Sequence, residues 1–145
     1  MTIRDEKVVL DTNVWIFGLR HQPELPACAL LLEHLGELQV VLPRQVLREL
    51  QANLSEDELK ALFRLVMKYS RQVIVRWEKA KMGTISRYRN LGCRLGDAAL
   101  AAHLEELGVK VLVTENRHFL EEIEDLPFRR LSASEALAEL ERPRR

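Results

Sequence analysis

Acidic or amide side chains lie next to segments that read as buried strands. Asp11 directly follows the apolar run VVL, and Glu115 and Asn116 directly follow the run VKVLVT. Asp97 opens an alanine-rich helical pattern, and Glu49 lies in the helix after the second predicted strand. Because ligands of parallel sheets bind outside the carboxyl ends of the strands, we expect these side chains to gather at one edge of a sheet.

Gathered carboxylates define the chemistry that this edge would perform. They repel one another and raise one another's pKa unless a cation neutralises them. Hard oxygen ligands suit Mg²⁺ or Mn²⁺, which bind through a few carboxylates, keep water molecules, and take further ligands from substrate phosphate. The sequence shows no Ser-His or Cys-His pairing in these motifs, so covalent catalysis is not expected.

The same residues also have structural explanations that involve no ligand. Asp11 with Thr12 and Asn13 is a suitable Asx-type turn before a helix. Asp97 is a suitable N-cap for the helix that it opens. Glu49 alone is most often a solvated helix residue. Taken together, however, the acids come from separated points of the chain and would converge on one edge, which favours a metal site.

Short apolar runs alternate with helical patterns along the chain. The strand candidates are residues 7–11, 38–42, 72–77, 109–114 and, more weakly, 128–132. The helical patterns cover residues 27–37, 43–54, 55–70 and 97–108, and a last one lies in SASEALAEL. This alternation predicts right-handed crossovers and a three-layer α/β/α fold around a central, mostly parallel, five-stranded sheet.

Length and composition fit one domain. The 145 residues are 47% hydrophobic and 30% charged, as in globular proteins. We therefore predict a single domain over residues 1–145, with residues 139–145 as a flexible tail. Residues 78–96 contain three glycines and are expected to form an exposed connection. No segment reads as a secretory signal or a membrane span, so the expected location is the cytoplasm, away from membranes.

The middle of the chain is basic although the whole chain is neutral. Between Lys60 and Arg94 there are ten basic residues and one acid, a net charge of +9, whereas the other residues sum to −9. Such a segment suits a polyanionic partner. On charge alone, a solvated helix face followed by a charged loop explains it better.

Four motifs in this order resemble the PIN domain, the metal-dependent ribonuclease fold of VapC-type toxins and RNA-processing nucleases. They are VVLDTNVWI, LPRQVLREL, LGDAALAAHLEELG and VLVTENRHF. The resemblance extends from residue 7 to about residue 132. It implies that Asp11, Glu49 and Asp97 hold one or two Mg²⁺ or Mn²⁺ ions, and that Thr12 and Asn13 support the first of these acids.

The fourth position of the resemblance is less regular. Family members often carry T-x-D or T-x-N there, and this chain has Thr114, Glu115 and Asn116. Asn116 therefore takes the fourth catalytic position, while Glu115 beside it offers a further carboxylate. Thr114 is expected to support the site. The resemblance leaves open whether Glu115 or Asn116 completes the site and whether a second ion binds.

The resemblance implies an endoribonuclease that cleaves single-stranded RNA with water activated by the ion. Arg87, Arg89 and Arg94 are expected to bind the RNA backbone. Trp77 or Tyr88 is a candidate for stacking on an unpaired base, although Trp77, like Phe63 elsewhere in the chain, is also a candidate for the core. Toxin members are inhibited by an antitoxin protein and usually form homodimers, whereas RNA-processing members are housekeeping enzymes; the sequence fits both.

Other classes of protein fit less well. Haloacid-dehalogenase-like phosphatases need D-x-D after the first strand, and here Asn13 stands in place of the second aspartate. Receiver domains need an acidic pair after that strand, which is missing. The main alternative is a non-catalytic PIN-like module that binds RNA or another protein.

Overall fold

Five parallel strands form the centre of the fold, in the order β3-β2-β1-β4-β5. The computed structural model describes residues 3–123 and 126–142. The strands are β1 Lys7–Leu10, β2 Gln39–Pro43, β3 Val73–Arg76, β4 Val111–Val113 and β5 Arg129–Leu131. The predicted five-stranded α/β fold is confirmed, including the weak fifth strand.

The helices connect these strands. They are α1 Thr12–Leu19, α2 Pro26–Glu33, α3 Arg44–Asn53, α4 Glu56–Lys68, α5 Met82–Asn90, α6 Leu95–Leu107 and α7 Ala133–Glu141. A short π-helical turn covers His118–Glu122 between β4 and β5. Right-handed crossovers, the rule for parallel strands, assign α1 to α4 to one face of the sheet and α5 and α6 to the other.

The central strands are buried because helices cover both of their faces. Every residue of the runs 8–10 and 111–113 has no exposed surface. Parallel strands in this position are continuous apolar runs, as the sequence showed. The outer strand β3 differs, since Ile74 is 55% and Val75 43% exposed. The core therefore lies around β1 and β4, directly below the predicted site.

Local sequence signals fix several helix ends. Ser55 and Glu58 form a capping box at α4, in which the Ser55 hydroxyl accepts from the Glu58 N–H at 3.2 Å. Ser132 and Glu135 form a second capping box at α7. Gly108 ends α6 with φ of +68°, a left-handed conformation that glycine adopts without strain.

Two predictions about connections and ends are wrong. Residues 78–96 are not only an exposed connection, because they contain α5, which packs against α6 through the buried Tyr88. The tail predicted from residue 139 does not begin there, because α7 extends to Glu141 and Leu140 is buried. Residues 143–145 lie outside the described residues. Within the described residues, no helix is long and apolar enough to span a membrane.

The predicted roles of the large aromatic side chains also change. Trp77 and Phe63 were candidates for the core, but they are 46% and 47% exposed. Tyr88 was a candidate for stacking on a base, but it is 2% exposed and cannot present its ring to a ligand. Only Trp77 of the two stacking candidates has an accessible ring.

Candidate active site

The site lies where the chain order of the sheet reverses. From β1 the chain continues to β2 on one side, and it later returns to β4 on the other side, which makes a topological switch point at the carboxyl end of β1. Asp11 follows β1 and Thr114 follows β4. The Asp11 N–H donates to the Val113 carbonyl at 2.8 Å, and the Thr114 hydroxyl donates to Asp11 Oδ2 at 2.8 Å. Two strand ends thus fix one carboxylate.

Asp11 is both a helix cap and a buried acid. Its Oδ1 accepts from the Thr12 N–H at 2.8 Å, so it is the N-cap of α1, as the turn explanation predicted. Its side chain is buried, and this burial raises its pKa from 3.8 to about 6. The hydrogen bonds from Thr114 and Thr12 lower the pKa, while the charges of Glu49 and Asp97 raise it further.

Glu49 reaches the same place from α3. Its Oε2 accepts from the Thr12 hydroxyl at 2.6 Å, and its Oε1 accepts from the Gln45 amide at 2.7 Å. Both carboxylate oxygens are therefore positioned before any ligand binds. Gln45 was not among the residues selected from the sequence. Its position four residues before Glu49 on one helix, which brings the two side chains together, was the available signal.

Asp97 approaches from α6, but not as its cap. The helix begins at Leu95 with Arg94 as the N-cap residue, so Asp97 lies in the first turn and the predicted capping role is wrong. The side chain is half-buried, which raises its pKa, and the charge of Glu49 raises it further. The nearby charges of His118 and Arg94 and a hydrogen bond from Asn116 lower it.

The three residues after β4 point in three different directions. Thr114 binds Asp11, as described above. Glu115 Oε1 accepts from the Ala133 N–H at 2.9 Å, so this carboxylate lies at the N-terminus of α7. The Asn116 amide N–H donates to the Asp97 carboxylate, while the Asn116 Oδ1 accepts from the His118 N–H at 3.0 Å. Asn13 Oδ1 accepts from the Glu115 N–H at 3.1 Å and fixes this turn.

This geometry gives Glu115 and Asn116 different expected roles. We expect Glu115→Gln to keep the activity of the site and to lower the free energy of unfolding by about 0.5–1 kcal/mol, because it removes a negative charge from a helix N-terminus. Asn116→Ala should instead reduce activity, since Asp97 loses its hydrogen-bond donor. Cleavage rates and urea unfolding of both variants test this. A complete loss of activity in folded Glu115→Gln would assign its carboxylate to the site.

The three predicted RNA-binding arginines differ in their surroundings. Arg94 lies close enough to Asp97 to affect its pKa. Arg89 is exposed on α5. Arg87 forms an ion pair with Glu105 of α6, so part of its charge is already neutralised. His118 also lies near Asp97, and its Nε2 is 3.3 Å from the Gly92 carbonyl oxygen.

The donor set of the site fits a hard cation. Asp11, Glu49 and Asp97 offer only oxygen atoms, and the charges of the other two acids raise the pKa of Asp11. Among residues 3–123 and 126–142, no group of three or more His, Cys, Asp or Glu side chains is arranged to hold an ion jointly. Mg²⁺ does not need such a group, because proteins hold it through one or two carboxylates together with water and substrate phosphate.

Comparisons with known proteins agree with this fold. The PIN domain family model matches residues 8–125, which is most of the chain. The chain therefore belongs to the PIN domain family. A comparison with curated proteins gives no match.

Solved structures with a similar fold include VapBC2 from Rickettsia felis, bound to a DNA fragment from its promoter. The TM-score is 0.58 at 20% identity, covering 86% of this chain and 98% of that chain. For FitAcB from Neisseria gonorrhoeae, the TM-score is 0.55 at 15% identity, covering 88% of this chain and 98% of that chain. For PAE2754 from Pyrobaculum aerophilum, the TM-score is 0.56 at 17% identity, covering 94% of this chain and 97% of that chain. At these identities, the similarity establishes the fold alone.

Proposed function

We propose that this PIN domain is a metal-dependent endoribonuclease that cleaves single-stranded RNA, with residues 1–145 acting as one domain. The observation that carries the proposal is the convergence of three carboxylates from three elements at the switch point of the sheet. Asp11 comes from the end of β1, Glu49 from α3 and Asp97 from α6. Burial is the main cause of the raised pKa of Asp11, and the charges of Glu49 and Asp97 raise that pKa further, a cost that a purely structural site would not need.

The side chains have distinct tasks in this mechanism. Asp11, Glu49 and Asp97 would hold Mg²⁺ or Mn²⁺, which when bound supplies a hydrolytic nucleophile near neutral pH and stabilises charge on the phosphate. Thr12 keeps the Glu49 carboxylate in place, as does Gln45. These partners fix the orientation of the ligands before substrate arrives, which is the usual role of hydrogen bonds around a metal site.

Two further side chains orient the remaining acids, and basic side chains would bind the substrate. Thr114 holds Asp11, and Asn116 holds Asp97. Arg94 and Arg89 would bind the RNA backbone next to the acids, with a smaller contribution from the paired Arg87. No side chain forms a covalent intermediate in this scheme.

A circular single-stranded RNA tests the proposal directly. Because it has no ends, only an endonuclease can open it. We expect the wild-type protein to linearise it with Mg²⁺ or Mn²⁺ and to be inactive with excess EDTA, which removes the ion. Undiminished cleavage in EDTA would exclude the metal-dependent mechanism, and degradation of linear but not circular RNA would exclude an endonuclease.

A non-catalytic PIN-like module that binds RNA or a protein is the second candidate, favoured by the lack of a group of three metal-binding side chains among the described residues. Isothermal titration calorimetry with Mn²⁺ separates the two. The nuclease should bind the ion in a manner that depends on Asp11 and Asp97. A non-catalytic module should show no such binding.

We further propose that the protein acts in the cytoplasm as a homodimeric toxin with an antitoxin partner. The similarity of the fold to that of VapBC2 is the observation that favours this role over RNA processing. A small open reading frame beside the gene, whose product co-purifies with the protein and inhibits cleavage, would be the expected finding.

A further inference from the structure

A cavity of about 180 Å³ lies beside the acidic site, and six of its ten lining residues are polar or charged. Three of them are basic: Arg44, Arg48 and Lys79. The acid that also lines it, Glu78, is neutralised by Arg76, whose Nε donates to Glu78 Oε1 at 2.8 Å. The other three charged side chains of the lining are all basic, so the lining carries an excess of positive charge.

Two side chains of this cavity, Arg44 and His103, indicate what it can bind. Arg44 lies over the Trp77 ring, 4.8 Å from its centroid, and also donates to the Trp77 carbonyl at 3.3 Å. His103 lines the wall, is 2% exposed, and has an Nε2 without a hydrogen-bond partner among the described residues. Buried polar atoms normally have partners, so an unpaired imidazole nitrogen in a cavity lined by basic side chains indicates that a ligand belongs there.

One helix connects the cavity to the acids. On α3, Arg44 and Arg48 are four residues apart and lie in one row, while Gln45 and Glu49 form the adjacent row. Gln45 lines the cavity and also donates to Glu49 Oε1 at 2.7 Å. Only one side chain therefore separates the cavity from the carboxylate that we assign to the metal site.

We propose that this cavity binds a second phosphate of the RNA chain, next to the one that is cleaved. The proposal rests on the proposed function of the acidic site and adds a substrate-binding position to it. Arg44 offers planar donors for phosphate oxygens, and Arg48 and Lys79 add charge. The buried His103 imidazole gives the cavity a further polar group.

Binding of a fluorescein-labelled single-stranded decauridylate tests the proposal in the Asp97→Asn background with EDTA, so that neither cleavage nor metal is needed. We expect the double variant Arg48→Gln/Lys79→Gln to bind more weakly. The slope of log affinity against log salt concentration should become less steep by about 0.7, the value for one phosphate on a single strand. The imidazole NMR signals of His103 should shift when the RNA is added and should not shift in the double variant.

The double variant Arg71→Gln/Lys110→Gln is the matched control. It removes the same charge from exposed side chains before β3 and β4, at the opposite edge of the sheet. An equal change of slope in the control would overturn the proposal, because net charge would then explain the effect. Unchanged RNA binding in the cavity variant would also overturn the proposal. If the cavity variant kept RNA binding but lost binding of a decaglutamate peptide, the proposal would likewise be overturned, because the cavity would then bind acidic proteins. Both readouts are independent of cleavage, so an inactive wild-type protein would contradict the proposed function and leave this test intact.

Discussion

Replacing Asp97 by asparagine is expected to abolish metal-dependent cleavage of single-stranded RNA while the protein stays folded. Asp97 lies in the first turn of α6, where Arg94 is the N-cap residue, so the substitution removes no capping group. It removes a carboxylate that we assign to the metal. The rate should fall by more than the roughly 10- to 100-fold that is typical when a metal ligand loses its hydrogen-bond partner.

The measurement is the initial rate of opening of circular RNA in saturating Mn²⁺, together with circular dichroism and a melting curve. Asp57→Asn is the matched control, because it makes the same chemical change at an exposed position in the first turn of α4. The control should cleave at the wild-type rate. Wild-type activity in Asp97→Asn would show that Asp97 is not a ligand of the metal. If this variant unfolds, the same measurement is made on Asp97→Ser.

Replacing Asp11 by asparagine is expected to stabilise the protein at neutral pH in EDTA, although it should also abolish cleavage. The pKa of Asp11 is raised from 3.8 to about 6, mainly by burial. The folded state therefore binds the proton more tightly than the unfolded state. This contribution to stability is complete below about pH 4 and is lost as the pH rises through 6.

The size of the effect follows from the shift in pKa. At pH 7.5 the charged Asp11 lowers the free energy of unfolding by up to about 3 kcal/mol relative to a group with an ordinary pKa. Asparagine has no charge, and it can still accept the hydrogen bond from the Thr12 N–H as an N-cap. Asp11→Asn should therefore be about 2–3 kcal/mol more stable than the wild type at pH 7.5, and the difference should disappear near pH 4.

Urea unfolding at pH 4 and pH 7.5, in EDTA and in Mn²⁺, measures both parts of this prediction. Mn²⁺ should stabilise the wild type and have little effect on Asp11→Asn, because a ligand that binds only the folded state stabilises it. The exposed Asp57→Asn control should follow the wild type at both pH values. An Asp11→Asn protein that is no more stable than the wild type at pH 7.5 would contradict the prediction.

Most of the sheet and the location of the site were predictable because their signals are local. Fully buried parallel strands are continuous apolar runs, and the run before Asp11 and the run before Thr114 are both of this kind. The strand-end rule then selected the polar residues that follow them. Glu49 was a weaker candidate, since its helix position alone does not distinguish it from a solvated residue, and the family motif supported it.

The remaining features depend on contacts between distant parts of the chain. Helix α5 is short and mostly polar, with Tyr88 as its one buried residue, so its sequence gives only a weak helical signal and its packing on α6 stabilises it. The direction of Glu115 depends on an N–H of α7, eighteen residues later. Trp77 is exposed because it follows the edge strand β3, and no strand order was predicted from the sequence.

The turn after β4 has a consequence for how this chain can vary in length. Thr114, Glu115 and Asn116 are consecutive, yet they bind Asp11, the start of α7 and Asp97 respectively. Inserting or deleting one residue here would shift each side chain to its neighbour's target and would disturb three elements at once. We expect natural and engineered changes of length to be excluded from this tripeptide and to occur instead in loops that bind only one element.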